Sequence, residues 1–312
     1  MKEICIGINE ANQRLDRFLL KYMSLASKGF VEKMIRKKRI KVNDKKVQAN
    51  YNLKKNDKIQ LYLAIETIEK FRKEKKIIKT KGKLDILFED CNILVINKEK
   101  NMLTHGGNNS LVDKAIEYLI DKGCYKPEKE ITFTPACCNR LDRNTTGIVI
   151  VAKTYRGLQE INNKIKDNDI KKQYISLVKG SINEDKKLID YLKKDNRNNK
   201  VVIEKEYSKN SKRVETHIFP INNFKDYTML EIHLITGRSH QIRAHLDYIG
   251  HPIVGDLKYG DRYINEVFNK KYNLDSQFLH AHKIIIEEYN GAELSIIAPL
   301  PKKLKEIINN IN

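Results

Sequence analysis

The sequence of 312 residues lacks long apolar runs. Its longest uninterrupted runs, such as residues 148–152, are as short as a β-strand, whereas a membrane-spanning helix needs about 20 apolar residues. The first residues include Glu3 and lack the apolar segment of a secretion signal. We therefore expect a cytoplasmic protein without a membrane span.

Cysteine is also scarce. The 5 cysteines are an odd number and form no Cys-x-x-Cys pair, so that we expect no disulfide framework and mostly buried, reduced thiols. Fixed-period repeats and low-complexity tracts are absent as well. A hydrophobic content of 40% is sufficient for a globular core, and a monomer is the default expectation.

Acidic residues are outnumbered by basic ones. The 60 Lys and Arg against 40 Asp and Glu give a formal net charge of +20, and residues 1–81 alone hold 23 Lys and Arg against 9 Asp and Glu. Positive charge attracts polyanions and gains affinity from counterion release, so nucleic acid is the expected partner. An AT-rich genome, indicated by the abundance of Lys, Asn and Ile, is the alternative explanation for the lysines.

Residues 13–63 have the pattern of a compact αβ module. Alternating residues at 40–43 and 58–63 predict two short strands. Apolar residues at helical spacing predict two short helices before these strands, with Leu15, Phe18, Leu19 and Tyr22 on the first and Phe30, Val31, Met34 and Ile35 on the second. The second helix runs into a basic cluster formed by Arg36, Lys37, Lys38 and Arg39. A solvated charged face is the alternative interpretation of this cluster.

The rest of the chain predicts a second, larger domain. Residues 64–83 are rich in charge and poor in pattern, which indicates a linker. Beyond it, strand and helix patterns are interspersed, and several strands follow one another without a helical crossover, which favours antiparallel pairing. The expected fold class is α+β, with a small αβ domain at 1–63 and a domain at 84–312 built on a mixed, mainly antiparallel sheet.

The string Arg-Leu-Asp-Arg occurs twice, at 14–17 and at 140–143. Asp16 precedes Phe-Leu-Leu at the start of a predicted helix, where the helix dipole favours a carboxylate, so its role is structural. Asp142 is followed by Asn-Thr-Thr-Gly and the apolar residues 148–152, which predicts a turn leading into a buried strand. A polar group held rigidly there is a candidate functional residue.

Residues 139–147, Asn-Arg-Leu-Asp-Arg-Asn-Thr-Thr-Gly, resemble the signature of the RluA/RluC class of pseudouridine synthases. Other segments resemble this family in the same order along the chain, among them Lys-Lys-Gln-Tyr at 171–174, Gly-Arg-Ser-His-Gln-Ile-Arg at 237–243 and Gly-His-Pro-Ile-Val-Gly-Asp at 250–256. The module at 13–63 resembles an S4 RNA-binding domain. This domain order is most similar to the C type of large-subunit ribosomal RNA synthase.

The resemblance implies an enzyme that isomerises specific uridines of RNA to pseudouridine without a cofactor or a metal. The expected substrate is 23S ribosomal RNA. Asp142 matches the catalytic carboxylate, Arg243 the arginine that pairs with it, and Tyr174 the tyrosine whose ring stacks on the target base. Arg140 matches the arginine that replaces the flipped uridine in the stack.

Further residues are implied in RNA binding. Arg238 and the basic cluster at 36–39 would contact phosphates, which position the RNA without reading its sequence. The family usually has His where this chain has Asn139. Because this position neighbours the catalytic turn without being its nucleophile, we expect a change of local hydrogen bonding with the chemistry intact.

The sequence has features of two other function classes. A metal hydrolase is disfavoured because His240 and His245 are five residues apart, on different helical faces, and because His280 and His282 lack a third partner. A non-catalytic S4-type RNA-binding or ribosome-assembly protein is the remaining alternative. Retention of all three residues matched to the catalytic machinery speaks against it.

Overall fold

The computed structural model describes residues 1–73, 79–80, 82–107, 109–195 and 200–311. The N-terminal elements are β1 (Lys2–Cys5), α1 (Leu15–Tyr22), α2 (Lys28–Arg36), β2 (Ile40–Val42), β3 (Lys58–Leu61) and α3 (Ile65–Lys70). The three strands form an antiparallel sheet in the order β1-β3-β2, and the apolar faces of α1 and α2 join its core. The helix pair and the two strands predicted for 13–63 are confirmed.

The segment 64–83 differs in part from the patternless connector expected there. Its first residues form α3, and Ile68 is fully buried in the N-terminal core. Phe71 packs against Phe30 with ring centroids 4.7 Å apart. Ile68 and Phe71 are three positions apart, a helical spacing that the surrounding charged residues obscure in the sequence. Residues 74–78 and 81 lie outside the described part of the chain, and the extent of the linker stays a prediction.

The C-terminal elements surround one large sheet. They are β4 (Ile86–Glu89), β5 (Ile93–Lys98), α4 (Leu111–Asp121), β6 (Ala136–Cys137), β7 (Thr146–Ala152), α5 (Tyr155–Asp167), β8 (Ile170–Lys179), β9 (Lys186–Asp195), β10 (Lys200–Glu204), β11 (Lys212–Asn223), β12 (Tyr227–Leu234), α6 (Gln241–Tyr248), α7 (Arg262–Tyr272), β13 (Leu279–Tyr289), β14 (Ala292–Ile297) and α8 (Lys302–Asn310). Within the described residues the strand order is β10-β9-β11-β12-β8-β13-β7-β5-β4, with β14 beside β13 and β6 beside β7.

The pairing confirms the α+β class and the mainly antiparallel sheet. Among the strand pairs of the described residues, β13 and β7 run parallel and the others antiparallel. β7 is buried on both faces, because Val149 and Val151 enter one core while Ile148 and Ile150 enter another. Double burial explains why this strand reads as a continuous apolar run.

Several elements escaped prediction from the sequence, among them β9, β10, β13 and α7. The hairpin of β9 and β10 carries Leu188, Leu192 and Val201 on one face, but lysines interrupt the apolar pattern. β13 begins with two histidines among its first residues, and α7 has Phe268 as its only fully buried large apolar side chain among the described residues. Each element owes its burial to distant partners in the sheet or core, which local periodicity does not report.

All five cysteines are free thiols, but the expectation that most are buried is wrong. Cys5, Cys91 and Cys124 are exposed, and Cys137 and Cys138 are half-buried. The exposed residues lie on an edge strand, in the turn between β4 and β5, and just after α4. In the described part of the chain no helix is both long and apolar enough to span a membrane.

The N-terminal unit contacts the large sheet domain through a few polar groups. Asn9 Nδ2 donates to the Glu130 carboxylate at 3.0 Å, and Asn9 Oδ1 accepts from the Tyr155 N–H at 3.3 Å. The Lys21 ammonium lies 5.1 Å from the centroid of the Tyr155 ring, and Ile131 packs against the N-terminal core. These contacts join the N-terminal unit to the large sheet domain.

Gly147 is the position where β7 approaches β13 most closely. Its φ is +108°, and a Cβ atom there would collide with the Ala281 carbonyl oxygen. Ala281 is its register partner in the parallel pair of β13 and β7. Only glycine combines this backbone conformation with so close an approach.

We predict that Gly147→Ala destabilises the protein, because both the backbone conformation and the contact with Ala281 become strained. The expected loss is about 2 kcal/mol of unfolding free energy, measured by chemical denaturation. Gly29→Ala in α2 is the matched control, since nothing lies within 4 Å of an added Cβ there. Equal stability of the two variants would contradict the prediction.

Candidate active site

Asp142 lies on a turn that leads directly into β7. The Thr145 N–H donates to the Asp142 carbonyl oxygen at 3.1 Å and closes the turn. On its other side, Thr104 Oγ1 donates to the Leu141 carbonyl oxygen at 2.9 Å and accepts from the Leu141 N–H at 3.2 Å. Asp142 thus occupies the turn-then-strand position that the sequence pattern predicts, and buried partners hold the turn in place.

Lys98, the last residue of β5, supports the same turn from the interior. Its side chain is buried, and Nζ donates to the carbonyl oxygens of Glu99, Met102 and Arg143 at 2.8, 3.0 and 3.0 Å. Burial lowers the pKa of Lys98 to about 8, although the charge of Asp142 acts in the opposite direction. These three hydrogen bonds tie the residue after Asp142 to the end of β5.

Arg243 lies between two carboxylates. Its Nη1 donates to Asp142 Oδ2 at 2.7 Å, while Nε and Nη2 donate to Asp256 Oδ2 and Oδ1 at 2.6 and 2.8 Å. Arg243 is 7% exposed, so it is not a surface arginine, and Asp256 is completely buried. The bidentate contact with Asp256 sets the plane of the guanidinium and aims its remaining edge at Asp142.

The charges of this triad depend on one another. Burial opposes the ionisation of Asp256, but Arg243 and the backbone N–H groups of Lys258 and Tyr259 outweigh it and lower the pKa of Asp256. Burial likewise disfavours the charged guanidinium, but the two carboxylates raise the pKa of Arg243. The guanidinium therefore stays charged beside Asp142.

Tyr174 lies on β8, with Ile232 and Ala281 as its register partners on the two neighbouring strands. Burial raises the pKa of Tyr174, and the charge of Asp142 acts in the same direction, so the phenol is neutral. Its hydroxyl has no hydrogen-bond partner in the part of the chain that the structure describes. A neutral hydroxyl near the carboxylate is thus available to a ligand.

One cavity of about 490 Å³ brings the predicted residues together. Asp142, Tyr174 and Arg243 line it, as do the predicted RNA-binding residues Arg140 and Arg238 and two lysines without a predicted role, Lys172 and Lys212. Arg140 and Arg238 are exposed, and Arg140 Nη2 lies 3.4 Å from Ser239 Oγ. Cations around the Asp142 carboxylate suit a ligand with an anionic backbone.

Asn139 takes part in the strand pairing next to the catalytic turn. Its Nδ2 donates to the Ile148 carbonyl oxygen at 3.1 Å, and its Oδ1 accepts from the Ile150 N–H at 2.8 Å. The amide thus reproduces a backbone pair along β7. The side-chain hydrogen bonds of Asn139 are therefore local to β7, and the expectation that the chemistry stays intact remains a prediction.

The basic cluster lies apart from this cavity, where α2 ends in the N-terminal domain. Arg36, Lys37, Lys38 and Arg39 are all exposed. Lys46 extends the cluster, since the nearby Lys38 and Lys41 ammonium groups lower the pKa of Lys46. Crowded like charges that remain exposed form a favourable site for phosphates.

Asp256 and Lys98 are residues of the site to which the sequence assigned no role. Both lie inside segments that resemble the family, but their side chains act on groups far away in sequence. Among the described residues no group of three or more His, Cys, Asp or Glu side chains is arranged to hold a metal ion.

Comparisons with known proteins agree with this arrangement. Residues 92–248 match the family model described as RNA pseudouridylate synthase, and residues 13–59 match the S4 domain. Ribosomal large subunit pseudouridine synthase C of Vibrio parahaemolyticus is 32% identical over 305 residues, which cover 96% of this chain and 92% of the relative. The chain belongs to the RNA pseudouridylate synthase family. A relative of the same name from Haemophilus ducreyi is 33% identical over 97% of this chain and 93% of its own length.

The enzyme is therefore a pseudouridine synthase with an N-terminal S4 domain, and the resemblance found in the sequence is confirmed. The solved structure titled Human RNA Pseudouridylate Synthase Domain Containing 4 superimposes with a TM-score of 0.60 at 22% identity. It covers 72% of this chain and 92% of that protein. This similarity concerns the fold.

We predict that Asp256→Asn destabilises the enzyme by about 3 kcal/mol, because the amide leaves Arg243 without its buried counter-charge. Asp275→Asn is the matched control, since Asp275 pairs with Lys100 at 2.8 Å where both side chains are exposed to solvent, and about 1 kcal/mol or less is expected. Chemical denaturation measures both changes. Equal losses would contradict the prediction.

The ion pair of Asp256 with Arg243 also predicts a pH dependence of stability. The pKa of Asp256 is lower in the folded than in the unfolded protein. Its contribution to stability is therefore present above about pH 4 and is lost as the pH falls through the folded-state pKa. Denaturation curves recorded between neutral and acidic pH should accordingly converge for the wild type and Asp256→Asn at low pH.

Proposed function

We propose that the enzyme isomerises specific uridines of large-subunit (23S) ribosomal RNA, with Asp142 as its catalytic carboxylate. The names of the Vibrio and Haemophilus relatives support the substrate, and the excess of positive charge supports a polyanion. The observation that carries the catalytic assignment is the 2.7 Å contact of Arg243 with Asp142 in a cavity also lined by Tyr174. A ribosomal RNA substrate would place the enzyme in the cytoplasm.

The reaction needs few chemical groups. The bond between ribose C1′ and N1 of uracil breaks, the base turns, C1′ bonds to C5, the hydrogen of C5 leaves as a proton, and N1 takes up a proton. Atoms and electrons balance without an oxidant or a transferred group, so a cofactor is unnecessary. Asp142 either attacks covalently or takes a proton from the sugar, and both roles require the ionised carboxylate that Arg243 stabilises.

The remaining residues hold the RNA and the detached base. The ring of Tyr174 would stack on the uracil, and its neutral hydroxyl would assist proton transfer at C5. A stacked uridine must first be flipped out at a cost of a few kcal/mol, and Arg140 would fill the vacated position. Arg238 and the basic cluster at 36–39 would bind phosphates.

The two copies of Arg-Leu-Asp-Arg provide a test with an internal control. Asp16 pairs with Arg14 at 2.6 Å in the N-terminal domain, away from the cavity. We predict that Asp142→Ala forms no pseudouridine but still binds RNA, whereas Asp16→Ala loses only stability or affinity. The measurement is pseudouridine mapping of ribosomal RNA from a deletion strain, incubated with each protein.

Two outcomes would overturn parts of this proposal. Wild-type protein that binds ribosomal RNA tightly without forming pseudouridine would contradict the proposed substrate and favour a ribosome-assembly role. Product formation by Asp142→Ala at the wild-type rate would contradict the catalytic assignment.

A second prediction concerns the S4 domain. Arg36→Gln combined with Arg39→Gln should weaken RNA binding and make it less dependent on salt, because two phosphate contacts and their counterions are lost. The slope of log affinity against log salt concentration should fall by about 1.5. Lys302→Gln combined with Lys305→Gln, two exposed residues of α8, is the matched control and should leave the slope unchanged. Equal slopes for both double variants would contradict the prediction.

A further inference from the structure

His240 lies directly before α6, three residues ahead of Arg243, and lines the same cavity. Its backbone is left-handed, with φ 56° and ψ 14°, a conformation uncommon for residues other than glycine. Strained residues of this kind persist where the surrounding structure holds them. The largely buried imidazole contacts two groups, the Tyr259 hydroxyl and the Asp142 carboxylate.

The Tyr259 hydroxyl determines which nitrogen of His240 carries the proton. The Val201 N–H donates to Tyr259 Oη at 2.8 Å, and His240 Nδ1 lies 3.0 Å from the same oxygen. A hydroxyl has one proton, and Nδ1 is the only acceptor that the described residues place beside it. In a neutral imidazole the proton then resides on Nε2.

Charged groups around His240 decide whether the ring is neutral. Burial lowers the pKa of His240, Arg243 and Lys258 act in the same direction, and Asp142 and Asp256 act against it. Burial prevails, so the neutral ring is the expected form at neutral pH. Its Nε2–H therefore faces the active site as a single donor.

Nε2 lies on the side of Asp142 that Arg243 also contacts. The distance from Nε2 to Asp142 Oδ2 is 3.9 Å, and Arg243 Nη1 donates to the same oxygen. A movement of about 1 Å would complete a hydrogen bond. Within the described residues no group donates to Asp142 Oδ1, which leaves this oxygen for the substrate.

Tyr259 also contacts the other partner of Asp142. The Arg243 guanidinium lies 5.1 Å from the centroid of its ring, and the Lys200 ammonium of β10 lies 5.2 Å from it. Removal of the hydroxyl alone would leave these ring contacts in place. Tyr259→Phe therefore removes the hydrogen bonds to His240 and to the Val201 N–H while it keeps the packing of the ring.

We propose that His240, held by the Tyr259 hydroxyl with its proton on Nε2, is a positioning residue that orients Asp142 through Oδ2. This inference rests on the proposed catalytic role of Asp142. It predicts that loss of the Nε2 donor slows the chemical step while RNA binding is kept, because the substrate-facing oxygen is no longer aligned.

Two substitutions at His240 test the role of its Nε2 atom directly. The amide nitrogen of Gln reaches the place of Nε2, whereas that of Asn reaches only the place of Nδ1. We expect His240→Asn and Tyr259→Phe to lower kcat by about 10- to 100-fold with little change in KM, and His240→Gln to recover most of this loss. Release of tritium from RNA labelled at uridine C5 measures both constants on the full-length enzyme.

Tyr125→Phe is the matched control for Tyr259→Phe, since the Tyr125 hydroxyl is buried against the Phe133 carbonyl oxygen outside the cavity, and wild-type kcat is expected. Wild-type kcat in both His240→Asn and Tyr259→Phe would overturn the inference. So would equal loss in His240→Asn and His240→Gln, or a change confined to KM.

Nitrogen NMR of histidine-labelled enzyme tests the tautomer without RNA. The wild type should carry the His240 proton on Nε2, and Tyr259→Phe should lose this preference. A proton found on Nδ1 in the wild type would overturn the inference. Wild-type enzyme that shows the Nε2 proton but forms no pseudouridine in ribosomal RNA would instead contradict the proposed function, so the two failures are distinguishable.

Discussion

The Arg243 guanidinium between two carboxylates is the interaction on which the active site depends. Asp256 is completely buried and binds the guanidinium through both oxygens, so the direction of its third edge is fixed. That edge meets Asp142, which lies 101 residues earlier in the chain. Two carboxylates and one guanidinium leave one negative charge, and the Lys98 ammonium acts on it from the interior. Asp142 thus has positive charge on two sides.

The sheet fixes the distance between the carboxylate and the tyrosine. Ala281 of β13 is the register partner of Gly147 on one side and of Tyr174 on the other. Since Gly147 lies five residues after Asp142, the turn and the phenol are joined by one central strand. Close packing on both faces of β7 allows little movement against its neighbours, so the sheet fixes where the turn and the phenol stand in the cavity.

The sequence predicted those features that local patterns encode. The helix pair of the S4 domain and the double-buried β7 were evident because apolar spacing alone defines them. The β9–β10 hairpin and the roles of Lys98, Asp256 and His240 were not. The Val201 N–H of this hairpin donates to the Tyr259 hydroxyl, which in turn lies beside His240 Nδ1. A single sequence carries no periodic trace of a contact between residues so far apart.

The two copies of Arg-Leu-Asp-Arg illustrate how partners, and not local letters, define a role. Asp16 finds its arginine two residues away, so its charge is satisfied within the first turn of α1. In the second copy Arg140 turns to Ser239 instead, and Asp142 is left for Arg243. A carboxylate whose own neighbour does not neutralise it needs a distant cation, and the chain then has to bury that cation with a second carboxylate. Arg243, itself buried beside Asp256, thus does for the partly exposed Asp142 what Arg14 does for Asp16.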